Sequence, residues 1–302
     1  MRIITGSSGM LGSAVKDILP GHGITSKACD LLKQDLSAYV NDNQLNNIDT
    51  LIHCAAKVGG VGVNMNHNEQ FFIDNIRIDH NVLTTAAELN IPNVVTILST
   101  CIFPDKIEYP LTIDKLDSGP PHDSNRGYAY AKRSLAHQTT TFRNMTKNNW
   151  ISIVPANLYG PGDNFNLEHS HIVPALIRKA YECTLNDTPF DIWGDGTSLR
   201  QFVYISDMAE IIKWAIKEWG RAMPLMAVNK HEYSISQVVD IIAKRFEIPP
   251  DMIRYDTTKP SGQFRKPAAT DVDWFEFTSL ELGINETIDW FIKNYNKQTI
   301  RL

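Results

Sequence analysis

Short apolar runs alternate with amphipathic stretches along the first half of the chain, which is typical of a protein that alternates strands and helices. The runs predict strands at 2–5, 50–56, 93–99 and 151–160, and the stretches between them predict helices at 10–19, 71–89 and about 127–145. These strands do not alternate apolar and polar residues, as strands with one solvent-exposed face do, so we expect helices to cover both faces of the sheet. The pattern therefore predicts an α/β fold around a doubly wound parallel sheet.

The pattern changes after Gly160, where glycine, proline and aspartate become frequent. Turn-rich segments at 160–165 and 193–202 frame a helix at about 171–184, a basic segment at 254–266 shows no regular pattern, and a last helix is expected at about 286–296. We predict a Rossmann-type domain over 1–157, to which the chain returns at 198–225. A smaller C-terminal α/β domain is expected over 158–197 and 226–302.

Composition narrows the class of protein. The 302 residues are 43% hydrophobic and 21% charged, as expected of a soluble globular protein. A formal net charge of −5 disfavours general affinity for nucleic acid, and no run of about 18 apolar residues predicts a membrane span. The chain starts directly with "MRIITG", so no signal peptide is expected. Cys29, Cys54, Cys101 and Cys183 are scattered, without metal-ligand or disulfide spacing, which favours a reducing, cytoplasmic location.

A glycine motif follows the first strand. "TGSSGMLG" places Gly6, Gly9 and Gly12 between a strand and a helix. Gly6 would permit a tight turn, Gly9 a close approach of a diphosphate, and Gly12 close packing of the helix. The phosphates would then bind free N–H groups at the start of the helix. The motif predicts a dinucleotide site; the alternative is a purely structural turn.

The residues after the second strand indicate which dinucleotide binds. An acidic residue there would bind the ribose 2′-hydroxyl of NAD, whereas this chain has Ser26 and Lys27. A hydroxyl and an ammonium suit a 2′-phosphate, so NADP is the predicted cofactor. Lys27 is otherwise an ordinary surface lysine. Asp30 and Leu31 are expected to border the adenine.

A tyrosine and a lysine share one helical face. In "YAYAKR", Tyr128 and Lys132 are four residues apart. A neighbouring ammonium is expected to lower the pKa of the phenol, which is ordinarily about 10. Ser99, at the end of a predicted strand, could orient the same carbonyl substrate. The three residues could therefore protonate a carbonyl oxygen as hydride reaches its carbon.

Together these features resemble the extended short-chain dehydrogenase/reductases, which mostly act on nucleotide sugars. The resemblance runs from residue 1 to about 295. It is carried by the glycine motif, "HCAAKVGGVGVN" (53–64), "STCIFPDK" (99–106), "GPPHDSNRGYAYAKR" (119–133), "NLYGPGDNFN" (157–166), "HIVPALIRK" (171–179) and "WGDGTSLRQFVY" (193–204). The similarity is greatest to members that convert GDP-4-keto-6-deoxy-D-mannose to GDP-L-fucose. These members are both isomerases and oxidoreductases, since they invert C3 and C5 and reduce C4 with NADPH.

The resemblance implies that Ser99, Tyr128 and Lys132 form the reductase set, and that Cys101 and His171 are the acid/base pair of the epimerase. The chemistry agrees, because a 4-ketone acidifies the hydrogens at C3 and C5. Thiol and imidazole, with ordinary pKa values of about 8.5 and about 6.5, exchange protons near neutrality. An extended chain would place Ser99 and Cys101 on one side.

Less specific interpretations remain open. A free cysteine is most often a small buried hydrophobe, as we expect for Cys54, and His171 could simply begin a helix. The alternatives among enzymes are another reductase of the family, such as one that forms GDP-colitose, and a plain sugar 4-epimerase, although simple 4-epimerases usually carry small residues at the position of Cys101. A redox-sensing NADP-binding protein without turnover is the alternative outside enzymes.

The resemblance also implies ligand contacts. Those to NADP are Gly6, Ser7, Ser8, Gly9, Met10, Leu11, Gly12, Ser26, Lys27, Asp30, Leu31, Ala55, Ala56, Lys57, Ile97, Leu98, Lys132, Pro155, Ala156, Asn157, Leu158 and His171. Those to the substrate are Lys179, Trp193, Arg200, Ser261 and Arg265, with no metal. Many relatives carry arginine at position 179 and aspartate at 261. The resemblance further implies a homodimer formed by the helices near 71–89 and 128–145.

Overall fold

The computed structural model describes residues 1–259, 263–297 and 300–302. The strands in these residues are β1 (Arg2–Thr5), β2 (His22–Ile24), β3 (Thr50–His53), β4 (Asn93–Ile97), β5 (Asn149–Pro155), β6 (Asn157–Tyr159), β7 (Phe190–Trp193), β8 (Leu199–Tyr204), β9 (Leu225–Ala227), β10 (Glu232–Ser234) and β11 (Ile253–Asp256). The helices are α1 (Met10–Ile18), α2 (Leu36–Asp42), α3 (Val61–Asn66), α4 (Asn68–Glu88), α5 (Arg126–Thr146), α6 (Ile172–Asn186), α7 (Ile205–Glu218), α8 (Ile235–Arg245) and α9 (Leu280–Asn294).

Six parallel strands form the central sheet, in the order β2-β1-β3-β4-β5-β9. Helix α1 packs against α7, and α4 packs against α5, so the sheet lies between two helical layers. The apolar strand residues Ile3, Ile4, Leu51 and Ile52 are fully buried, as their sequence pattern requires. The predicted α/β fold with a doubly wound parallel sheet is confirmed.

The strand order reverses at β1. The chain passes from β1 to its neighbour β2 on one side and then to β3 on the other. The crossovers therefore diverge at the carboxyl ends of β1 and β3 and leave a crevice there, which is where open α/β sheets bind ligands. The Gly6 turn and the segment 54–57 both lie at this edge.

The segment predicted as one strand at 151–160 is divided between two sheets. Residues up to Pro155 pair with β4 and β9 in the central sheet. Ala156 breaks the strand, and Asn157 then begins β6, which pairs with β8 in a sheet completed by β10. The Asn157 side chain donates to the Gln201 carbonyl at 2.8 Å. The carboxyl end of β5 thus leads directly into the second part of the molecule.

The second part has its own buried cluster, in which Phe165, Phe291 and Tyr159 pack between α6, α8 and α9. Two expectations are wrong here. Residues 253–256, expected as loop from 254 onward, form β11, because their backbone pairs with β7 although Arg254, Tyr255 and Asp256 are polar. The last helix begins at Leu280 rather than 286, because the Ser279 side chain caps it. The division into an NADP-binding and a substrate-binding domain stays a prediction, since packing alone assigns no ligand.

Candidate active site

The glycine motif forms a tight turn between β1 and α1. Gly6 has a positive φ of 67°, and a Cβ there would lie 2.7 Å from the Ala55 backbone nitrogen. A Cβ on Gly12 would lie 2.2 Å from the Gly6 carbonyl oxygen, so the helix packs directly on the turn. Gly9 caps α1 without a side-chain hydrogen bond. The first N–H groups of α1 can therefore bind an anion, and residues 6–12 fit the diphosphate site predicted for them.

Residues predicted to contact the adenine end follow β2. Ser26 and Lys27 are exposed in a turn beyond Ile24. The Asp30 carboxylate accepts from the Leu32 N–H at 3.2 Å and pairs with Lys33, and both contacts lower its pKa. Leu31 is buried. The exposed hydroxyl and ammonium can bind a 2′-phosphate, whereas the Asp30 carboxylate already has partners.

The other predicted cofactor contacts line the carboxyl edge of the sheet. Ala55, Ala56 and Lys57 follow β3, Ile97 and Leu98 end β4, and Pro155, Ala156, Asn157 and Leu158 form the junction of β5 and β6. The buried Asn75 side chain bonds both backbone polar groups of Lys57, each at 3.0 Å. The structure therefore brings these segments to the crevice in which residues 6–12 lie.

Tyr128 lies near the start of α5 and packs edge-on against Phe71, with ring centroids 6.4 Å apart. The expectation that the pKa of Tyr128 lies below its ordinary value is wrong for this structure. Burial raises that pKa well above its ordinary value, and the Cys101 and Asp79 charges raise it further. The phenol is therefore protonated at neutral pH. The Lys132 ammonium lies 3.6 Å from an Asp79 carboxylate oxygen.

Ser99 and Cys101 lie together, but not on an extended chain. Residues Thr100–Ile102 form a 3₁₀ turn that Ser99 caps, its hydroxyl accepting from the Cys101 N–H at 3.3 Å. The expected extended geometry is therefore wrong. Burial raises the pKa of the Cys101 thiol, while the Ser99 hydroxyl and the Lys266 and Lys132 ammonium groups oppose this shift.

His171 is the N-terminal cap residue of α6, without a side-chain hydrogen bond to the helix. The preceding loop is fixed by a backbone hydrogen bond from Gly60 to His169, 2.9 Å long. The residue keeps an exposed surface, but desolvation by the surrounding protein lowers the pKa of its imidazole. The imidazole is thus neutral at neutral pH.

Three of the predicted substrate residues are Lys179, Trp193 and Arg200. Lys179 and Trp193 contact each other, and Arg200 lies in β8. The Trp193 side chain is 54% exposed, and the Lys179 ammonium lies 5.1 Å from its ring centroid. Lys179 also donates to the Asp191 carbonyl at 3.0 Å. Arg200 donates to the Leu199 carbonyl at 2.7 Å. The exposed indole face and the two cations can bind a flat base and its phosphates.

The other two predicted substrate residues are less well placed. The Arg265 guanidinium pairs with the Glu232 carboxylate, and its Nε lies 2.9 Å from one carboxylate oxygen. A phosphate would have to compete with this pair. Ser261 lies outside the described residues.

Sequence reasoning missed the lysine next to Arg265. The Lys266 ammonium faces Cys101 and Asp105, and burial lowers its pKa. Asp79 was also missed, although a signal exists. Asn75 and Asp79 stand one turn apart on a helix whose neighbouring positions, such as Ile78, are core residues, and polar side chains there need buried partners.

A dinucleotide crevice beside a partly buried Ser-Tyr-Lys set defines a nucleotide-dependent epimerase or reductase of the short-chain type. Residues 2–224 match the NAD dependent epimerase/dehydratase family, and the chain belongs to this family. Comparison with individual relatives narrows the activity within this family. The chain is 35% identical to the GDP-L-fucose synthase of Dictyostelium discoideum, over 97% of this chain and 95% of that protein.

Two further relatives support the comparison. A crystal structure of a GDP-L-fucose synthetase from Naegleria fowleri bound to NADP has a TM-score of 0.89 and 34% identity, covering 100% of this chain and 94% of that one. The GDP-L-colitose synthase of Yersinia pseudotuberculosis is 30% identical over 97% of this chain and 98% of that protein.

Proposed function

We propose that this protein is an NADPH-dependent enzyme that converts GDP-4-keto-6-deoxy-D-mannose to GDP-L-fucose. The conversion needs two reactions at one site, which are inversion at C3 and C5 and reduction of the C4 ketone. The observation that carries the proposal is the cluster of Ser99, Cys101 and Tyr128. It places a thiol for proton exchange at carbon next to two hydroxyls that can donate to O4. The family membership and the full-length relatives support it.

NADP fits the residues at the carboxyl edge of the sheet. The first turn of α1 offers backbone N–H groups to the diphosphate, and the close contact between Gly6 and Gly12 keeps that turn in place. Ser26 and Lys27 are proposed to bind the 2′-phosphate, which their exposed hydroxyl and ammonium support. When bound, NADPH supplies a hydride for C4. Residues of the junction between β5 and β6 would border the nicotinamide.

Epimerisation is assigned to Cys101 and His171. A carbonyl at C4 makes the hydrogens on C3 and C5 acidic, so one group must remove a proton and another return it to the opposite face. Desolvation lowers the pKa of His171 and burial raises that of Cys101, so the pair holds a single proton at neutral pH. Ser99 and Tyr128 donate hydrogen bonds to O4 while its negative charge develops.

Reduction is assigned to Tyr128 with Ser99 and Lys132. As C4 accepts a hydride, O4 becomes an alkoxide and takes the phenolic proton. The raised pKa of Tyr128 ensures that this proton is present at neutral pH. Lys132 then stabilises the phenolate that remains. Because epimerisation also develops charge on O4, the same two hydroxyl donors serve both reactions.

The GDP part is assigned to the surface around Trp193. We propose that the base stacks on the exposed indole and that Lys179 and Arg200 bind the phosphates. A lysine at position 179 presents a point charge rather than a planar fork, so its phosphate contact is not bidentate. Arg265 would contribute only after leaving Glu232, and Ser261 stays a prediction.

The test is NMR of the product formed from GDP-4-keto-6-deoxy-D-mannose and NADPH in deuterated water. We expect GDP-L-fucose with deuterium at C3 and C5 and one NADPH consumed for each product. Conversion without NADPH consumption would indicate a 4-epimerase instead. A chain that binds NADPH but turns over no sugar would indicate a sensor.

A second function has a specific observation in its favour, which is the full-length similarity to a GDP-L-colitose synthase. Colitose lacks the 3-hydroxyl, so such an enzyme needs no inversion at C3. Competition between the 3-hydroxy and 3-deoxy keto sugars in one reaction separates the two functions. We expect a higher kcat/KM for the 3-hydroxy sugar.

We also propose a homodimer in which α4 and α5 pack against their copies. Phe72 and Ile73 on α4 are 41% and 42% exposed, although both are large and apolar. Light scattering should give twice the chain mass, and Ile73→Glu should halve it. The four cysteines are free thiols, which supports the proposed cytoplasmic location. Within the described residues, no helix is both long and apolar enough to span a bilayer.

A further inference from the structure

A chain of buried polar groups runs beneath the proposed active site. The Thr5 hydroxyl lies 2.7 Å from His53 Nδ1, and His53 Nε2 lies 3.0 Å from Asp79 Oδ1. The Lys132 ammonium lies 3.6 Å from the same carboxylate oxygen. All four side chains are buried. The chain connects the end of β1 to α5 through β3 and α4.

The groups at the two ends of this row of buried polar side chains determine which atoms donate and which accept along it. The Ala55 N–H can only donate, and it donates to the Thr5 hydroxyl oxygen at 3.3 Å. An ionised Asp79 can only accept, so His53 Nε2 carries a hydrogen and donates to it. Burial lowers the pKa of His53, so the ring is neutral and Nδ1 accepts from the Thr5 hydroxyl. Every bond therefore points toward the Asp79 carboxylate.

Among the described residues, Lys132 is the one lysine or arginine that pairs with this carboxylate. The described residues that interact with Lys132 are Asp79 from α4, His53 from β3, Cys54 directly after β3, and Cys101 from the 3₁₀ turn, while Tyr128 lies one turn away on its own helix. Asp79 is the carboxylate of this set. Its second oxygen, Oδ2, is buried without a hydrogen-bond partner among the described residues. An underbonded buried carboxylate is costly, and the Lys132 ammonium offsets that cost.

We propose that Asp79 is a positioning residue for the reduction: its carboxylate, oriented by His53, holds the Lys132 ammonium in place on the helical face that it shares with Tyr128. This inference rests on the proposed function. Removing the negative charge leaves a buried cation without a partner, so the ammonium would no longer be held in this position. Tyr128 would then transfer its proton without a fixed cation beside the developing phenolate, and reduction would slow.

The first experiment compares the two half-reactions in Asp79→Asn. We expect kcat for NADPH oxidation at pH 8 to fall about 10- to 100-fold, with KM within about threefold. Deuterium exchange at C3 and C5 should stay within about threefold, because the raised pKa of the Cys101 thiol keeps it protonated at pH 8 with or without the nearby ammonium. Asp79→Glu, which restores the charge, should recover most of the lost rate of NADPH oxidation.

The matched control is Asp207→Asn. Asp207 is also a buried carboxylate, but it accepts from the N–H and hydroxyl of Thr278, at 2.8 and 2.7 Å. This variant should lose stability and leave the ratio of reduction to exchange unchanged. Equal losses of reduction and exchange in Asp79→Asn, or no recovery of reduction in Asp79→Glu, would overturn the positioning role.

A second experiment measures stability rather than turnover, so it still tests the ion pair if Asp79→Asn is too unstable for kinetics. Urea unfolding is compared for Asp79→Leu, Lys132→Met and the double variant. Each single change should lower the midpoint by about 1 M, because it leaves one charge buried alone. The double variant should lose less than the worse single variant. Additive losses would overturn the inference. A wild-type chain that does not reduce the keto sugar would refute the proposed function, while this cycle would still test the pair.

Discussion

The contact between Gly12 and the Gly6 carbonyl makes a quantitative prediction about cofactor binding. In Gly12→Ala the new Cβ would lie 2.2 Å from that oxygen, whereas ordinary contacts begin at 3.4 Å. The helix and the turn must therefore separate by about 1 Å, because neither backbone is a flexible side-chain end. Overpacking of this kind typically costs about 1 to 3 kcal/mol. The N–H groups assigned to the diphosphate move with the helix.

We expect the Kd for NADPH to rise about 10- to 100-fold, since each factor of ten corresponds to about 1.4 kcal/mol. Fluorescence titration with NADPH measures this change, and thermal unfolding reports the loss of stability. Gly220→Ala is the matched control, because a Cβ there meets nothing within 4 Å. If Gly12→Ala bound NADPH within threefold of wild type at an unchanged melting temperature, the turn would not be the diphosphate site.

The remaining predictions concern the proposed chemistry. Cys101→Ser should abolish deuterium uptake at C3 and C5 while NADPH binding persists, whereas Cys183→Ser should not; undiminished uptake in the first variant would refute its role. Tyr128→Phe should slow NADPH oxidation by about 10²- to 10⁴-fold, and a near-normal rate would remove the phenol from the mechanism. The rate of deuterium exchange should not change with pH between 6.5 and 9.0. The pKa of His171 is lowered from its ordinary 6.5, and the pKa of Cys101 is raised from its ordinary 9.0, so neither group titrates in this range. A limb inside this window would contradict the single-proton state. Lys266→Met should move the alkaline limb of exchange to higher pH, because the ammonium lowers the pKa of the thiol; an unmoved limb would separate Lys266 from Cys101.

The sequence was most informative where local pattern and structure coincide. The runs around Ile3 and Leu51 are apolar because both faces of the parallel sheet are covered, so their pattern predicts strands directly. The Gly6 turn was predictable because its spacing reflects backbone contacts within a few residues. The Tyr128 and Lys132 pair was visible for the same reason, since helical periodicity fixes their common face.

Long-range contacts account for the failures. Strand β11 pairs through its backbone with a segment about 60 residues earlier, and this pairing leaves no apolar pattern. The first turn of α9 contains Gly283, which suggests a break; a Cβ there would lie 2.2 Å from the Tyr159 hydroxyl oxygen, so packing requires glycine. The pairing of Lys132 with Asp79 joins two helices and could not be inferred from spacing along either one.

The single-residue break at Ala156 limits how the two halves of the cleft can move. Its neighbours are both held in ladders, Pro155 against Ala227 and Asn157 against Phe202. A hinge needs unpaired backbone residues to take up a rotation, and Ala156 is the one unpaired residue between these two strands. Opening the cleft by rotation at this point would break hydrogen bonds of β5 with β9 or of β6 with β8. The sugar should therefore bind in a cleft whose width does not change. Rigid inhibitors that fit this cleft should bind without a free-energy cost for closing it.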